Sequence, residues 1–195
     1  MRSLLGGLKT GLMFVLSAPA GTGKTTLVRM LCKQFPSVIE SVSFTTRPPR
    51  KNEIPGIDYH FITTEEFEKK IQENEFLECA KVFNCYYGTS KKFVEQKRDE
   101  GKHVILVIDT QGALQLKKNY PATFIFLSPP SMKELANRLR ARQTDSEEKI
   151  EERLIWAEKE MKLIPSYDYH IVNEDLSIAY EILKSILIAE ENKIR

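Results

Sequence analysis

The stretch Leu12-Met13-Phe14-Val15-Leu16-Ser17-Ala18-Pro19-Ala20-Gly21-Thr22-Gly23-Lys24-Thr25 decides the fold. Its first five residues form an apolar run, which predicts a buried strand over Leu12 to Ser17. From Lys24 to Phe35, Leu27, Met30 and Leu31 recur at helical spacing and Pro36 stops the run, which predicts a helix. Between strand and helix, Ala18 to Thr25 reads as a P-loop in the setting that motif requires. Gly21 and Gly23 let backbone N–H groups turn inward to cradle phosphate oxygens, and the helix N-terminus adds partial positive charge. Lys24 is placed to reach the terminal phosphates, and the Thr25 hydroxyl to hold Mg²⁺. Ala18 stands where the motif has its first glycine, while the Gly-Lys-Thr end is intact. The loop therefore points to a nucleoside triphosphate with Mg²⁺.

Working outward, strand and helix patterns alternate. His103 to Asp109 (HVILVID) and Thr123 to Leu127 are nearly continuous apolar runs, as in strands covered on both faces. Thr110 to Tyr120 predicts a helix, and Ser131 opens another through a Ser-x-x-Glu box with Glu134. A charged helix is predicted over Glu147 to Leu163, a short strand over Tyr169 to Val172, and an amphipathic helix from Leu176 to about Asn192. The rhythm predicts an α/β fold, a P-loop NTPase-type parallel sheet with helices on both faces. Residues 41–90 break that rhythm. They hold short strands (SVSFTT, IDYHFI, EFLECAKVF) and a helix near Thr64 to Gln72 capped by Thr63 and Glu66, which predicts an inserted mixed lobe. One domain is expected, with a core over 12–40, 102–130 and 165–195, the lobe over 41–90 and a helical lid over 131–160.

A chain of 195 residues with 29 basic and 27 acidic side chains is an ordinary globular composition, and its net charge of +2 selects no partner. No basic run reads as a nucleic-acid tail, and no apolar run approaches the roughly 20 residues that span a bilayer. The N-terminus imitates a secretory signal ending at Ala18-Pro19-Ala20, but its apolar centre, Leu12 to Leu16, is shorter than the usual minimum of about seven. The location expected is cytoplasmic. Cys32, Cys79 and Cys85 fit that setting, having neither CxxC nor metal-type spacing. His60, His103 and His170 are scattered and suggest no metal set.

The segment Ser43-Phe44-Thr45-Thr46-Arg47-Pro48-Pro49-Arg50 sets two arginines around a stiff spacer. Strand alternation puts Ser43, Thr45 and Arg47 on one face, and a polyproline step of three residues returns Arg50 to the side of Arg47. Two guanidinium forks converging on one point suit a phosphate distinct from those on the P-loop; the other reading is a solvated basic turn. Tyr59, and Tyr87 beside Thr89, add hydroxyls, or are plain core aromatics. Glu78 shares a strand face with Phe76, Ala80 and Val82. A carboxylate there needs a partner. Guanine offers a ring N–H and an exocyclic amine side by side, whereas adenine presents a bare lone pair at the ring position. Ser43 and Thr89 hydroxyls are placed to donate to the guanine carbonyl. The alternative is an exposed edge strand with Glu78 in water.

Arg138 and Arg142 share a helix face, Arg140 points elsewhere, and Arg153 follows on the next helix. On a mobile hairpin they would close over phosphates; otherwise they form a solvated face with nearby glutamates. Asp109 ends an apolar strand, the Walker-B-like place for a carboxylate near Mg²⁺ or substrate. Trp156 reads as packing.

SAPAGTGKTT, SVSFTTRPPR, GIDYHF, EFLECA, NCYYGTS, VIDTQGA, FLSPPS, RLRARQTDSEE and YDYHIVNEDL occur in that order from about Leu12 onward. In this the chain resembles the guanylate kinases, P-loop nucleoside monophosphate kinases. The resemblance implies a core, a lobe for guanosine monophosphate (GMP) and a lid, and the reaction ATP + GMP giving ADP + GDP, with dGMP left open as a substrate. It implies that the loop from Ala18 through Pro19, Ala20, Gly21, Thr22, Gly23, Lys24 and Thr25 to Thr26 holds ATP, with Arg138 and Asn173 on the ATP side. Ser43, Glu78 and Thr89 would read guanine. Arg47, Arg50, Tyr59 and Tyr87 would hold the GMP phosphate, and Lys24, Arg142 and Arg153 would steady the transferred group. Asp109 would lie near base and metal. The chain departs from the family pattern at Val107, which replaces an aspartate, at Ala20, which replaces a serine, and at Gln143, which replaces a glycine after Arg142. Two other readings stand beside this one: a non-catalytic interaction module of the same fold, and a monophosphate kinase for another base.

Overall fold

A computed structural model describes residues 4–141 and 146–194. Five parallel strands form the core sheet: β1 (Met13–Ser17), β2 (Val38–Ser41), β7 (His103–Val107), β8 (Thr123–Ser128) and β9 (Tyr169–Val172), in the order β2-β7-β1-β8-β9. Alternation along β1 divides the core. Phe14 and Leu16 pack with Leu27, Val28 and Leu31 of α1 (Lys24–Gln34) and with Leu183 and Leu187 of α7 (Leu176–Glu191). Met13 and Val15 pack on the opposite face with Val94 of α3 (Lys91–Asp99) and with Ala113 and Leu116 of α4 (Thr110–Asn119). Both faces of β1 are thus covered, which is why its sequence is apolar throughout. Helix α1 ends where Phe35, the residue before Pro36, turns extended.

A second sheet, ordered β4-β3-β6-β5, contains β3 (Phe44–Thr45), β4 (His60–Phe61), β5 (Phe76–Val82) and β6 (Cys85–Ser90). Helix α2 (Thr64–Gln72) starts at a complete capping box between Thr63 and Glu66. Its Phe67 is fully buried and stacks on Phe76 and Tyr86. Helices α5 (Met132–Ala141) and α6 (Glu147–Met161) form a hairpin around Leu135, Leu139, Ile150 and Ala157.

Three elements differ from their sequence reading. SVSFTT is not one strand. Ser41 closes β2 in the core sheet, Val42 and Ser43 cross over, and Phe44–Thr45 pair in the second sheet. The polar residues Ser41, Ser43 and Thr45 are the buried ones. IDYHFI shrinks to His60–Phe61, with Tyr59 in an isolated bridge to Pro55 and Ile57 exposed, because residues 54–58 make turns around the Asp58 carboxylate. Asp109 lies beyond β7 and caps α4, accepting from the Gly112 amide at 2.9 Å. The N-terminal segment has a structural role that its sequence does not announce. Leu5 is buried, and the Gly6 and Gly7 amides donate to Glu191, which also bonds the buried His103. The Leu12 amide donates to His103 Nδ1, so Nε2 carries the proton shared with Glu191.

Candidate active site

All five core strands run the same way, so everything that follows a strand emerges at one edge. Ser17 leads to the phosphate-type loop, Ser41 to Ser43, Val107 to Asp109, and Val172 to Asn173. This is the edge at which parallel α/β sheets place ligand sites. In the loop, Gly21 and Gly23 both have φ +96°, and Gly23 is the residue before α1. A side chain at Gly23 would also meet the Asn173 amide nitrogen at 2.7 Å. Lys24 Nζ bends over its own loop and donates to the Ala18 and Pro19 carbonyls.

A cavity of about 240 Å³ lies between this edge and the second sheet. Ala18, Ala20, Lys24, Thr25, Ser43, Arg47, Arg50, Tyr59, Glu78, Tyr87, Asp109 and Arg153 all line it. Their numbers span most of the chain, and no local pattern joins them.

Glu78 is only 5% exposed, although β5 is an edge strand. Helix α4 covers it: a Cβ added at Gly112 would stand 2.2 Å from Glu78 Oε2. Thr89 Oγ1 donates to Glu78 Oε1 at 2.6 Å. Burial raises the Glu78 carboxyl to about 7; the Thr89 hydrogen bond opposes that shift and the Asp109 charge adds to it. Burial also raises Asp109.

Arg47 and Arg50 meet at one carboxylate, that of Glu53. Arg47 Nη2 donates to both Glu53 oxygens at 2.8 and 2.9 Å, and the Arg50 amide donates to Oε2 at 2.8 Å. The Arg50 guanidinium stands 3.9 Å away. Arg47 Nε donates to the Tyr87 hydroxyl at 3.3 Å, and the guanidinium lies 5.4 Å from the Tyr59 ring centroid. Although burial would raise it, the bonds from Arg47 and the Arg50 amide hold the Glu53 carboxyl below its ordinary range.

A sequence model of the family described as guanylate kinase matches residues 11–190. The chain belongs to the guanylate kinase family. It is 59% identical to the guanylate kinase of Protochlamydia amoebophila (strain UWE25) over 192 residues, 98% of each protein. It is 48% identical to the guanylate kinase of Syntrophotalea carbinolica, over 93% of this chain and 87% of that one. The crystal structure of guanylate kinase from Anaplasma phagocytophilum superposes with a TM-score of 0.78 at 36% identity, covering 94% of this chain and 88% of that one.

Against that guanylate kinase frame, Arg138 and Asn173 join the phosphate-type loop in a second cluster. Asn173 Nδ2 donates to the Thr22 carbonyl at 2.6 Å, and Arg138 Nη1 donates to the Asn173 carbonyl at 3.0 Å. Arg138, Asn173, Thr22 and Gly23 therefore sit together, and none of the four lines the cavity that contains Glu78. Arg138 is also held by Glu134, and Arg140 by Glu147 on the exposed side of the hairpin. Thr26 is exposed on α1. Arg142, with Gln143, lies outside the described residues.

Three residues that line the cavity, Glu160, Phe83 and Trp156, and Glu53 beside its arginines are not read as site residues from the sequence. Glu53 carried a faint signal, three residues after Arg50. Glu160 looked like one more charge on α6, yet it is 5% exposed and lines the cavity. Burial raises it to about 7, against the pull of Lys24 and a hydrogen bond with Thr110. Phe83 lines the cavity from the β5–β6 turn, and Trp156, read above as packing, lines it from α6.

Proposed function

We propose that this cavity seats GMP with its base against Glu78 and its phosphate among Arg47, Arg50, Tyr59 and Tyr87. ATP lies along the loop from Ala18 to Thr26, with its adenosine end toward Arg138 and Asn173. The γ-phosphoryl of ATP passes in line to an oxygen of the GMP phosphate, giving ADP and GDP. The acceptor is already an anion, so no strong general base is required. The work is positioning and charge neutralisation.

Each residue has a physical task. Ionised Glu78 accepts the two adjacent donors of guanine, and Thr89 holds that carboxylate in line while Ser43 faces the base. Arg47 is anchored by Tyr87 and Glu53, so it reaches the phosphate with little rotamer freedom left to lose. Lys24 leaves two loop carbonyls to meet the triphosphate, and Arg153, with Arg142, neutralises charge from the lid side. Closure of the α5–α6 lid excludes water, which would otherwise accept the phosphoryl group.

The protein oxygens fit Mg²⁺. The Thr25 hydroxyl lines the cavity with the carboxylates of Asp109 and Glu160, and Mg²⁺ is usually held by one or two protein groups plus substrate phosphates. When bound there, Mg²⁺ would offset the negative charge of the phosphates. No helix among the described residues is long and apolar enough to cross a membrane. The three free cysteines accord with a reducing, cytoplasmic setting.

The observation that carries this reading is the buried carboxylate of Glu78, aligned by Thr89 and facing the same cavity as Lys24. A coupled assay of ADP release with Mg-ATP and each common nucleoside monophosphate tests it. GMP should accelerate release far beyond AMP, CMP or UMP. Equal rates with AMP, or none with GMP, would overturn the assignment.

A further inference from the structure

We propose that Phe83 is a positioning residue for Arg153, forming with Trp156 an aromatic latch between the β5–β6 hairpin and the lid helix α6. The proposal rests on the GMP kinase reading above. Val82 and Cys85 pair as the last rung of the hairpin, so Phe83-Asn84 is a two-residue turn. Both turn residues have positive φ, 46° and 63°. Such turns take Asn, Asp or Gly at these positions. Asn84 obeys that preference. Phe83 does not: a bulky side chain in the left-handed region is an outlier that the hairpin does not need.

The ring of Phe83 does not contribute to the core of its own lobe either, since the residue is 45% exposed. It reaches across the cavity mouth instead. Its centroid is 5.9 Å from that of Trp156, with the planes tilted by 52°. The Arg153 guanidinium carbon is also 5.9 Å from the Phe83 centroid. Arg153 and Trp156 are three residues apart and face the same way on α6, so one ring engages both. All three side chains line the cavity that contains Glu78 and Lys24. Strain retained at such a place marks function rather than folding.

The consequence is mechanical. Phe83 is joined through one hairpin to Glu78 on β5 and to Tyr87 and Thr89 on β6. A monophosphate seated against those residues fixes Phe83, and Phe83 then fixes Arg153 over the reacting phosphates. Nucleotide in the acceptor site thus sets a lid cation that no loop of that site carries.

Trp156 is the single tryptophan in the chain, so tryptophan fluorescence reports the surroundings of this one ring, of which Phe83 is a part. Phe83→Gly removes the ring while suiting positive φ, so loss of folding does not confound the test. In the full-length chain, GMP binding should change Trp156 emission, and Phe83→Gly should abolish that change. The same variant should lower kcat about tenfold, with the KM values for GMP and ATP within about threefold of wild type. Phe83→Tyr should restore both. A wild-type emission blind to GMP, a GMP response that survives in Phe83→Gly, kcat within threefold of wild type, or a defect confined to KM would each overturn the proposal. A wild-type chain that fails to phosphorylate GMP would instead sink the functional reading itself.

Discussion

Thr89 Oγ1 donates a 2.6 Å hydrogen bond to Glu78 Oε1 from the residue directly opposite it across the β5–β6 pair. One oxygen of the carboxylate is thereby fixed, and α4 closes over the other at Gly112. A buried acid held this way is costly to ionise, and a donor-rich base repays that cost only when it binds.

The first prediction concerns pH. In the proposed base site Glu78 would have to be ionised to accept two N–H groups, and its carboxyl is raised to about 7 by burial. KM for GMP should therefore fall about tenfold between roughly pH 6 and pH 8. The GMP phosphate, with a second pKa of about 6, titrates nearby. Glu78→Gln is the control: its KM for GMP should be raised by about 2–3 kcal/mol of binding, and the component centred near 7 should vanish. An unchanged KM in that variant would move Glu78 out of the base site.

Gly112→Ala separates space from helix propensity. In an α-helix alanine is favoured over glycine by about 1 kcal/mol, so the helix itself gains. The new methyl would nevertheless stand 2.2 Å from Glu78 Oε2. The carboxylate must swing away, and KM for GMP should rise at least about tenfold with KM for ATP unchanged. Steady-state kinetics against each substrate measures the split.

Arg47 and Arg50 should not be equivalent. Arg47 is pinned by Glu53 and Tyr87 with its side chain 15% exposed, whereas the Arg50 side chain is 53% exposed. Arg47→Ala should raise KM for GMP about a hundredfold, roughly 2.7 kcal/mol, because it removes a preorganised charge-assisted contact. Arg50→Ala should cost less, since water competes at its exposed guanidinium. Equal effects would argue against preorganisation by Glu53.

Glu160 yields a stability prediction with a definite sign. In the folded chain its carboxyl is raised by burial to about 7 from the ordinary 4.5, so folding favours the protonated form. That contribution is fully present below about pH 4.5 and fades as pH rises to about 7. Glu160→Gln keeps a polar group toward Thr110 and carries no charge to bury. Its Tm at pH 8 should exceed wild type by about 2–5 °C, and the gap should close near pH 5. Thermal melts at the two pH values decide it. A variant less stable at pH 8 would show that Lys24 outweighs desolvation at this carboxylate.

The alternation of Met13-Phe14-Val15-Leu16, the glycines and lysine of the loop after them, and the Thr63 and Glu66 cap were legible because each depends on residues adjacent in sequence or one turn apart. Strand identity, helix α1 and the phosphate-type loop followed from them. Tertiary structure alone decided that Ser43, Glu78, Asp109, Lys24 and Arg153 share one cavity, because that depends on five strands running parallel and on a second sheet folding back over their edge. It also decided what covers Glu78, which of the α6 glutamates is buried, and where the rings of Phe83 and Trp156 go. Local sequence encodes backbone preference and the polarity of a face. Burial and convergence are set by residues far apart in the chain, and a charge on a helix looks the same in sequence whether water or a lysine stands opposite it.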